Sequence, residues 1–241
     1  SDPDTAEIIG DVGLFDYAEF CAEYSAFDMS LLYHMARAAQ CADLPLMIKL
    51  DQMNQGFWAQ AAIGAGFKAV LFTDIRSPDD VESCYQSIRP DNPAGQGLMG
   101  IKLRWPAFGS YGHDAYLADL ESILFLVMIE KTVAVDNLDI VLEKAKAREV
   151  DMTQWGPADF GFSRGQPDLM DTDEIKPFEE LVIRKSIDYG VAPRIEISSV
   201  DQAQRYVDLG VRHFCVGWDR FILQSALANI GEGMQKLLST L

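Results

Sequence analysis

The chain has 241 residues, 49% of them hydrophobic, which suits one large domain or two small ones with a substantial core. Its 20 basic and 37 acidic residues leave a net charge of −17, a balance that repels phosphate backbones and anionic lipids and argues against nucleic-acid and membrane partners. The four cysteines (Cys21, Cys41, Cys84, Cys215) form no C-x-x-C, no apolar run approaches the ~20 residues of a membrane span, and the opening Ser1-Asp2-Pro3-Asp4 is no signal peptide, so a reducing, cytoplasmic setting is expected.

In chain order, Asp4 to Gly13 reads as a helix, capped by Asp2 or Asp4 and ended near Gly10 or Gly13. Phe15 to Phe20 reads as a strand running into Glu23-Tyr24. Asp28 caps a helix to Gln40. Leu44 to Leu50 is a strand that ends near Lys49 and Asp51. Gly56 to Ala65 is a helix closed by Gly66, and Ala69 to Ile75 is a strand leading to Asp74 and Arg76. Ser77-Pro78-Asp79-Asp80 starts a helix to about Ile88, with a cap, a first-turn proline and acids set against the dipole. Pro90 to Gly112 is rich in Gly and Pro, carries Trp105, Phe108 and Tyr111, and reads as a long loop.

His113 to Ser122 is a helix. Leu124 to Glu130 is an apolar run of the kind expected for a strand buried on both faces, and it stops at a carboxylate. Asn137 to Glu149 reads as a helix. Val150 to Phe160 holds a second short strand, with Asp159 just past its end. Gly161 to Asp173 reads as a loop and Glu174 to Tyr189 as a helix ended by Gly190. Ala192 to Ser198 is a strand, Ser199 to Leu209 a helix, His213 to Gly217 the last strand, and the remainder to Leu241 is helical.

Seven strands alternating with helices imply a parallel sheet covered by helices. The expectation is a single (β/α)8 TIM barrel over residues 1–241, whose first strand lies upstream of Ser1. A doubly wound open sheet is the weaker alternative, because no Gly-rich phosphate fingerprint follows an early strand. In a parallel barrel the carboxyl ends of the strands share the face where chemistry is done. Glu130 and Asp159 end consecutive strands there and are candidate ligands for a divalent metal. An all-oxygen site with two protein ligands leaves room for water and a chelating substrate, which suits Mg²⁺ or Mn²⁺ ahead of Co²⁺ or Zn²⁺. The bland alternative is that each acid caps a helix or pairs with a nearby Lys or Arg. The Gly156-Pro157 turn lets the following N–H groups face an anion.

Ile129-Glu130 with Ala134-Val135-Asp136-Asn137-Leu138-Asp139-Ile140, then Val150-Asp151 and Gly156-Pro157-Ala158-Asp159-Phe160, resembles the HpcH/HpaI family of class II pyruvate aldolases. Gly13-Leu14-Phe15-Asp16, Arg89-Pro90, Ala192-Pro193 and Val216-Gly217-Trp218-Asp219 extend the resemblance nearly end to end. It implies a metal-dependent lyase that makes or cleaves a 4-hydroxy-2-oxo acid through a metal-stabilised pyruvate enolate, with an aldehyde as partner substrate. It implies Glu130 and Asp159 as metal ligands, and Gly156, Pro157 and Ala158 as the carboxylate cradle. It also implies a homo-oligomer, built of dimers up to a hexamer, whose closing helices are exchanged between subunits.

Two departures stand out. The family's Glu-His after the second of its eight strands is Glu23-Tyr24 here, and its Arg after the third corresponds to Lys49. Lysine supplies charge without the planar fork of arginine, and a tyrosine with an ordinary pKa near 10 is a poorer base than histidine. Glu23, Tyr24 and Lys49 are therefore the candidate catalytic residues. The plain readings are rim packing for Tyr24 and, for Lys49, an ion pair with Asp51, Asp74 or Glu23. Arg104 is a candidate substrate-binding residue, Asp74 and Arg76 are expected to support the site, and His34 and His213 read as structural. On the same scaffold the reaction could instead be a different one on a 2-oxo acid, such as oxaloacetate decarboxylation, or the barrel could bind such an acid without catalysis.

Overall fold

The computed structural model describes residues 2–101 and 113–240. Seven strands form one sheet in the order of the chain: β1 (Ala18–Cys21), β2 (Leu46–Leu50), β3 (Ala69–Phe72), β4 (Leu124–Ile129), β5 (Met152–Trp155), β6 (Ala192–Ile197) and β7 (His213–Val216). Every neighbouring pair is parallel. Helices connect them, so the sheet curls into a nearly closed barrel with helices outside.

The helices are α1 (Pro3–Val12), α2 (Met29–Cys41), α3 (Gln55–Ala65), α4 (Pro78–Ile88), α5 (His113–Glu121), α6 (Thr132–Asp136), α7 (Leu138–Ala147), α8 (Pro157–Ser163), α9 (Lys176–Tyr189), α10 (Ala203–Asp208) and α11 (Asp219–Leu238). Their starts follow local chemistry. The side chains of Asp2 and Asp28 accept N–H bonds at the starts of α1 and α2, and Ser77 and Asp80 form a complete capping box on α4. Gly13 and Gly190 close α1 and α9 in the left-handed conformation.

Alternation along the strands sorts two packed layers. Phe20, Ile48, Val70, Phe125 and Val127 belong to the large core between sheet and helices. Met47, Ala69, Leu71, Leu126 and Met128 form a smaller cluster, with Tyr17 and Met152 against it, on the opposite, barrel-interior face. Arg89, at the end of α4, donates to the Ile123 carbonyl at 2.8 Å and more weakly to those of Leu120 and Glu121. A cation thus meets the carbonyl end of α5 where the chain turns into β4.

β7 and β1 are not hydrogen-bonded as strands, and side chains span the gap between them. Tyr17 donates its hydroxyl to the Phe214 carbonyl at 3.2 Å. Arg194, on β6 and 0% exposed, donates to Tyr17 Oη (2.7 Å) and Glu19 Oε2 (2.7 Å), and to Gln154 Oε1. One guanidinium therefore joins β1, β5 and β6 inside the barrel.

Several local expectations shift. The first strand begins at Ala18 rather than Phe15, because Leu14 and Phe15 lie on the surface and gain nothing from pairing. The strands expected from Leu44 and to Ile75 are trimmed to Leu46–Leu50 and Ala69–Phe72. The helix expected from Asn137 is preceded by the short α6. Asp159 does not simply follow a strand: it sits in the first turn of α8, where Pro157 presets helical φ. The expected loop from Gly161 to Asp173 holds the end of α8 and a 3₁₀ turn at Pro167–Asp171, with a second at Asp173–Ile175. The helix expected from Ser199 starts as a 3₁₀ turn before α10. Arg104, Trp105, Phe108 and Tyr111 lie outside the described residues. Among the described residues no helix is long and apolar enough to cross a membrane.

Replacing Arg194 by Met should leave Glu19 buried without its cation and cost about 3–5 kcal/mol of folding stability. Urea unfolding of the two proteins checks this, and an unchanged midpoint would show that the span contributes nothing.

Candidate functional site

The carboxyl ends of the strands open into a cavity of about 780 Å³. Tyr24, Lys49, Glu130, Gly156, Pro157, Ala158 and Asp159 all line it, with Glu196, Met170, Trp218, Phe221 and Ile222. The structure thus gathers the sequence-predicted residues from the ends of four strands, β1, β2, β4 and β5, around one space. Glu23 joins them through Lys49, and Arg104 is outside the described residues.

Glu130 follows β4 and points into the barrel, only 3% exposed. Its Oε1 accepts the backbone N–H of Asp74 at 2.7 Å. Asp74 holds a left-handed backbone, φ 62°, which an aspartate tolerates better than most residues and which turns its N–H to the carboxylate. On the other side, a Cβ built on Gly156 would lie 2.3 Å from Glu130 Oε2 and 2.7 Å from its Cβ. Glycine is therefore needed after β5 to leave room for the carboxylate.

Burial pushes the Glu130 carboxyl up to about 7. The Asp74 N–H and the Lys49 charge oppose that rise, while the negative charges of Asp159 and Asp74 add to it. A buried carboxylate facing another, with only partial compensation, is an oxygen donor pair that a hard divalent cation would stabilise. Among the described residues no three His, Cys, Asp or Glu side chains converge to hold a metal by themselves. Glu130 and Asp159, two oxygen donors lining one open cavity, fit an ion that would draw its other ligands from water and a chelating substrate.

Lys49, with its side chain 8% exposed, pairs with Glu23 Oε2 at 2.9 Å and lies over the Tyr24 ring at 5.1 Å. Glu23 is one of the three ion-pair partners expected for it. Burial works against the ammonium, but the hydrogen bond and charge of Glu23 outweigh it and hold Lys49 above the ordinary lysine value. Tyr24 is half exposed and packs near Trp218, ring centroids 6.0 Å apart. Burial of its hydroxyl end and the nearby Glu23 charge push its pKa up, against the pull of Lys49. Its proton is therefore held more firmly than in free tyrosine.

Sequence reasoning missed Lys131. Its ammonium is 2.5 Å from Asp74 Oδ1 and 2.6 Å from Asp159 Oδ1, and the side chain is 12% exposed. Arg76, expected as a supporting residue, donates to the Asp74 carbonyl at 2.9 Å. The one signal for Lys131 was its place directly after a buried acid at a strand exit. Glu196 on β6 also went unnoticed. Burial first, then the charge of Glu19, raises its pKa.

No family model matches the chain. It is 26% identical over 224 residues to a 2-keto-3-deoxy-L-rhamnonate aldolase of Shigella dysenteriae, covering 92% of this chain and 81% of that protein. The similarity runs along nearly the whole chain, in line with the resemblance drawn from its motifs. Its fold superposes on an HpcH/HpaI aldolase/citrate lyase family protein from Burkholderia cenocepacia with a TM-score of 0.86, at 23% identity over 97% of this chain and 91% of that one. The citrate synthase SbnG shares the fold with a TM-score of 0.82, at 21% identity over 98% of this chain and 90% of that one. These neighbours are TIM-barrel proteins, in line with the (β/α)8 expectation.

The raised Glu130 carboxyl makes a signed prediction. The folded state binds this proton more tightly than the unfolded chain, whose glutamates titrate near 4.5. Its stabilising contribution is present below about pH 4.5 and is lost as pH rises toward about 7. In EDTA, wild-type stability should therefore fall more steeply across that window than that of Glu130→Gln, by on the order of 3 kcal/mol. Parallel pH profiles of the two proteins would contradict the assignment.

Proposed function

We propose that this protein is a metal-dependent carbon–carbon lyase that cleaves or forms a 4-hydroxy-2-oxo acid, exchanging pyruvate and an aldehyde. The observation that carries this reading is that the buried Glu130 carboxylate and Asp159 line one cavity at the carboxyl ends of the barrel strands and feel each other's charge. Glu130 and Asp159 would hold the divalent ion, Mg²⁺ or Mn²⁺ by the hardness of the donors. When bound, such an ion supplies Lewis acidity at the keto oxygen of a 2-oxo acid.

The rest is the work of the chain. The first turn of α8 presents N–H groups that lack intrahelical partners, and those near Ala158 receive the substrate carboxylate. Gly156 keeps that approach open and Pro157 fixes the turn. Lys49, locked by Glu23, is a fixed positive charge beside the cavity, suited to stabilising negative charge that develops on substrate oxygen. With its pKa raised, Tyr24 keeps its proton at Oη and serves as a hydrogen-bond donor to an alkoxide rather than as a base. Trp218, Phe221 and Ile222 form an apolar wall that limits water around the reacting carbons. The 2-keto-3-deoxy acid named for the Shigella relative is a 2-oxo acid, the class this site is built to chelate.

Glu130→Ala and Asp159→Ala should each lower pyruvate release from 4-hydroxy-2-oxo acids by on the order of 10³-fold, the scale of a lost Lewis acid. EDTA should do the same to the wild type, reversibly. Full activity in the double variant would end this reading. CO₂ release from oxaloacetate, without aldol cleavage, would replace the lyase with a decarboxylase on the same site.

The single domain is proposed to work as a homo-oligomer through α11. This 20-residue helix buries none of its residues, and Leu227, Ile230, Met234 and Leu237 stand exposed along it. Its first turn nevertheless contributes Phe221 and Ile222 to the cavity wall. A second copy receiving α11 would cover the apolar face and finish the site. Light scattering should show a dimer or a multiple of it, and Leu227→Glu with Ile230→Glu should yield monomers. A monomeric wild type would refute the exchange.

A further inference from the structure

Lys131 places a cation within the proposed metal site itself. The residue follows Glu130 directly and opens α6 in an extended conformation, without a capping bond from its side chain. Its stem folds back so that one ammonium touches two carboxylates: Asp159, a proposed metal ligand, at 2.6 Å, and Asp74, not assigned to the metal, at 2.5 Å. Asp74 is a distinct kind of partner. Its backbone N–H already holds Glu130 Oε1, so the loop that steadies one ligand also anchors the lysine bound to the other.

A divalent ion on Glu130 and Asp159 must share or displace the Asp159 oxygen that the ammonium holds, and a nearby unit charge repels it. Asp74 offers the lysine a second anchor that does not compete. Resting on the metal-site reading above, we propose that Lys131 is an internal counter-ion of the metal site, released from Asp159 and retained by Asp74 when a divalent cation enters. The consequence is a deliberately weakened, readily exchanged metal. Lys131 acts through Asp159 and is a positioning residue.

The test is Mn²⁺ binding by calorimetry, with no substrate and no turnover, on wild type, Lys131→Met, Lys131→Arg, Asp74→Asn, the Lys131→Met/Asp74→Asn pair and Glu130→Ala. Met keeps the apolar stem and removes the charge. Losing one charge-assisted competitor should tighten Mn²⁺ binding by about ten- to hundredfold in Lys131→Met, while Lys131→Arg stays within a few-fold of wild type. Retention by Asp74 predicts that Asp74→Asn weakens binding more in the presence of Lys131 than in the Lys131→Met background, a non-additivity that a general loss of negative charge would not give. Unchanged or weaker Mn²⁺ binding in Lys131→Met overturns the proposal, as does strict additivity for the anchoring role of Asp74. Glu130→Ala separates the two levels. If it binds as tightly as wild type, the metal-site reading itself fails. If it loses Mn²⁺ while Lys131→Met matches wild type, only the role of Lys131 fails. Melting curves in EDTA confirm that each variant is folded.

Discussion

A carboxylate that the fold has taken almost wholly out of water at the end of β4 constrains everything around it. Charge there is costly unless something answers it. The surroundings of Glu130 read as a set of partial answers. Asp74 takes a left-handed backbone to aim one N–H at Oε1. Gly156 gives up a side chain so that Oε2 fits. Lys49 stands near enough for its charge to be felt, yet its close contact is with Glu23. The sum still leaves the carboxyl well above the ordinary glutamate range, and Asp159 makes the deficit larger. A scaffold optimised for stability alone would have replaced such a group with an apolar one. Its presence at the functional end of a barrel is what one expects where a cation is part of the working state.

That end of the barrel is shaped by rules that a sequence expresses locally. Asp2, Asp28, Ser77 and Asp80 announce helix starts because a cap satisfies N–H groups within three residues of itself. The apolar run from Leu124, buried from Phe125 onward, announces a strand because both its faces meet apolar neighbours. Given those elements and their alternation, a parallel barrel follows, and with it the convergence of Glu130, Asp159, Lys49, Tyr24 and the Gly156–Ala158 turn on one cavity.

What escaped depended on partners remote in sequence or on a single turn of chain. Thr132-Val133-Ala134-Val135 contains three β-branched residues and gives little helical signal, yet it forms α6 between a strand exit and α7. Gly156-Pro157 reads equally well as the end of a strand and as the start of a helix, so the position of Asp159 within α8 was hidden. Lys131 looked like any charged residue after a strand, because its meaning lies in Asp74 and Asp159, which the chain brings from separate loops. The Arg194 span joins side chains 175 and 177 residues from it in the sequence, and only the curl of the sheet reveals that they meet.

Tyr24 and Lys49, which line the same cavity as Glu130 and Asp159, carry the departures from the resembled family, and their physics is coherent. An arginine and a histidine there would supply a fork and a base. Here a lysine, an acid and a phenol form a closed group, in which Glu23 fixes the Lys49 ammonium and that ammonium rests on the Tyr24 ring. Glu23 holds Lys49 charged, and burial together with the Glu23 charge keeps Tyr24 protonated against the pull of Lys49. Such a group is poised for electrostatic stabilisation and hydrogen-bond donation, not for general-base catalysis. Burial raises the carboxyls of both Glu130 and Glu196, which line this same cavity, so the fold itself makes protonation easier on the carboxylate side of the site than on the Lys49–Tyr24 side.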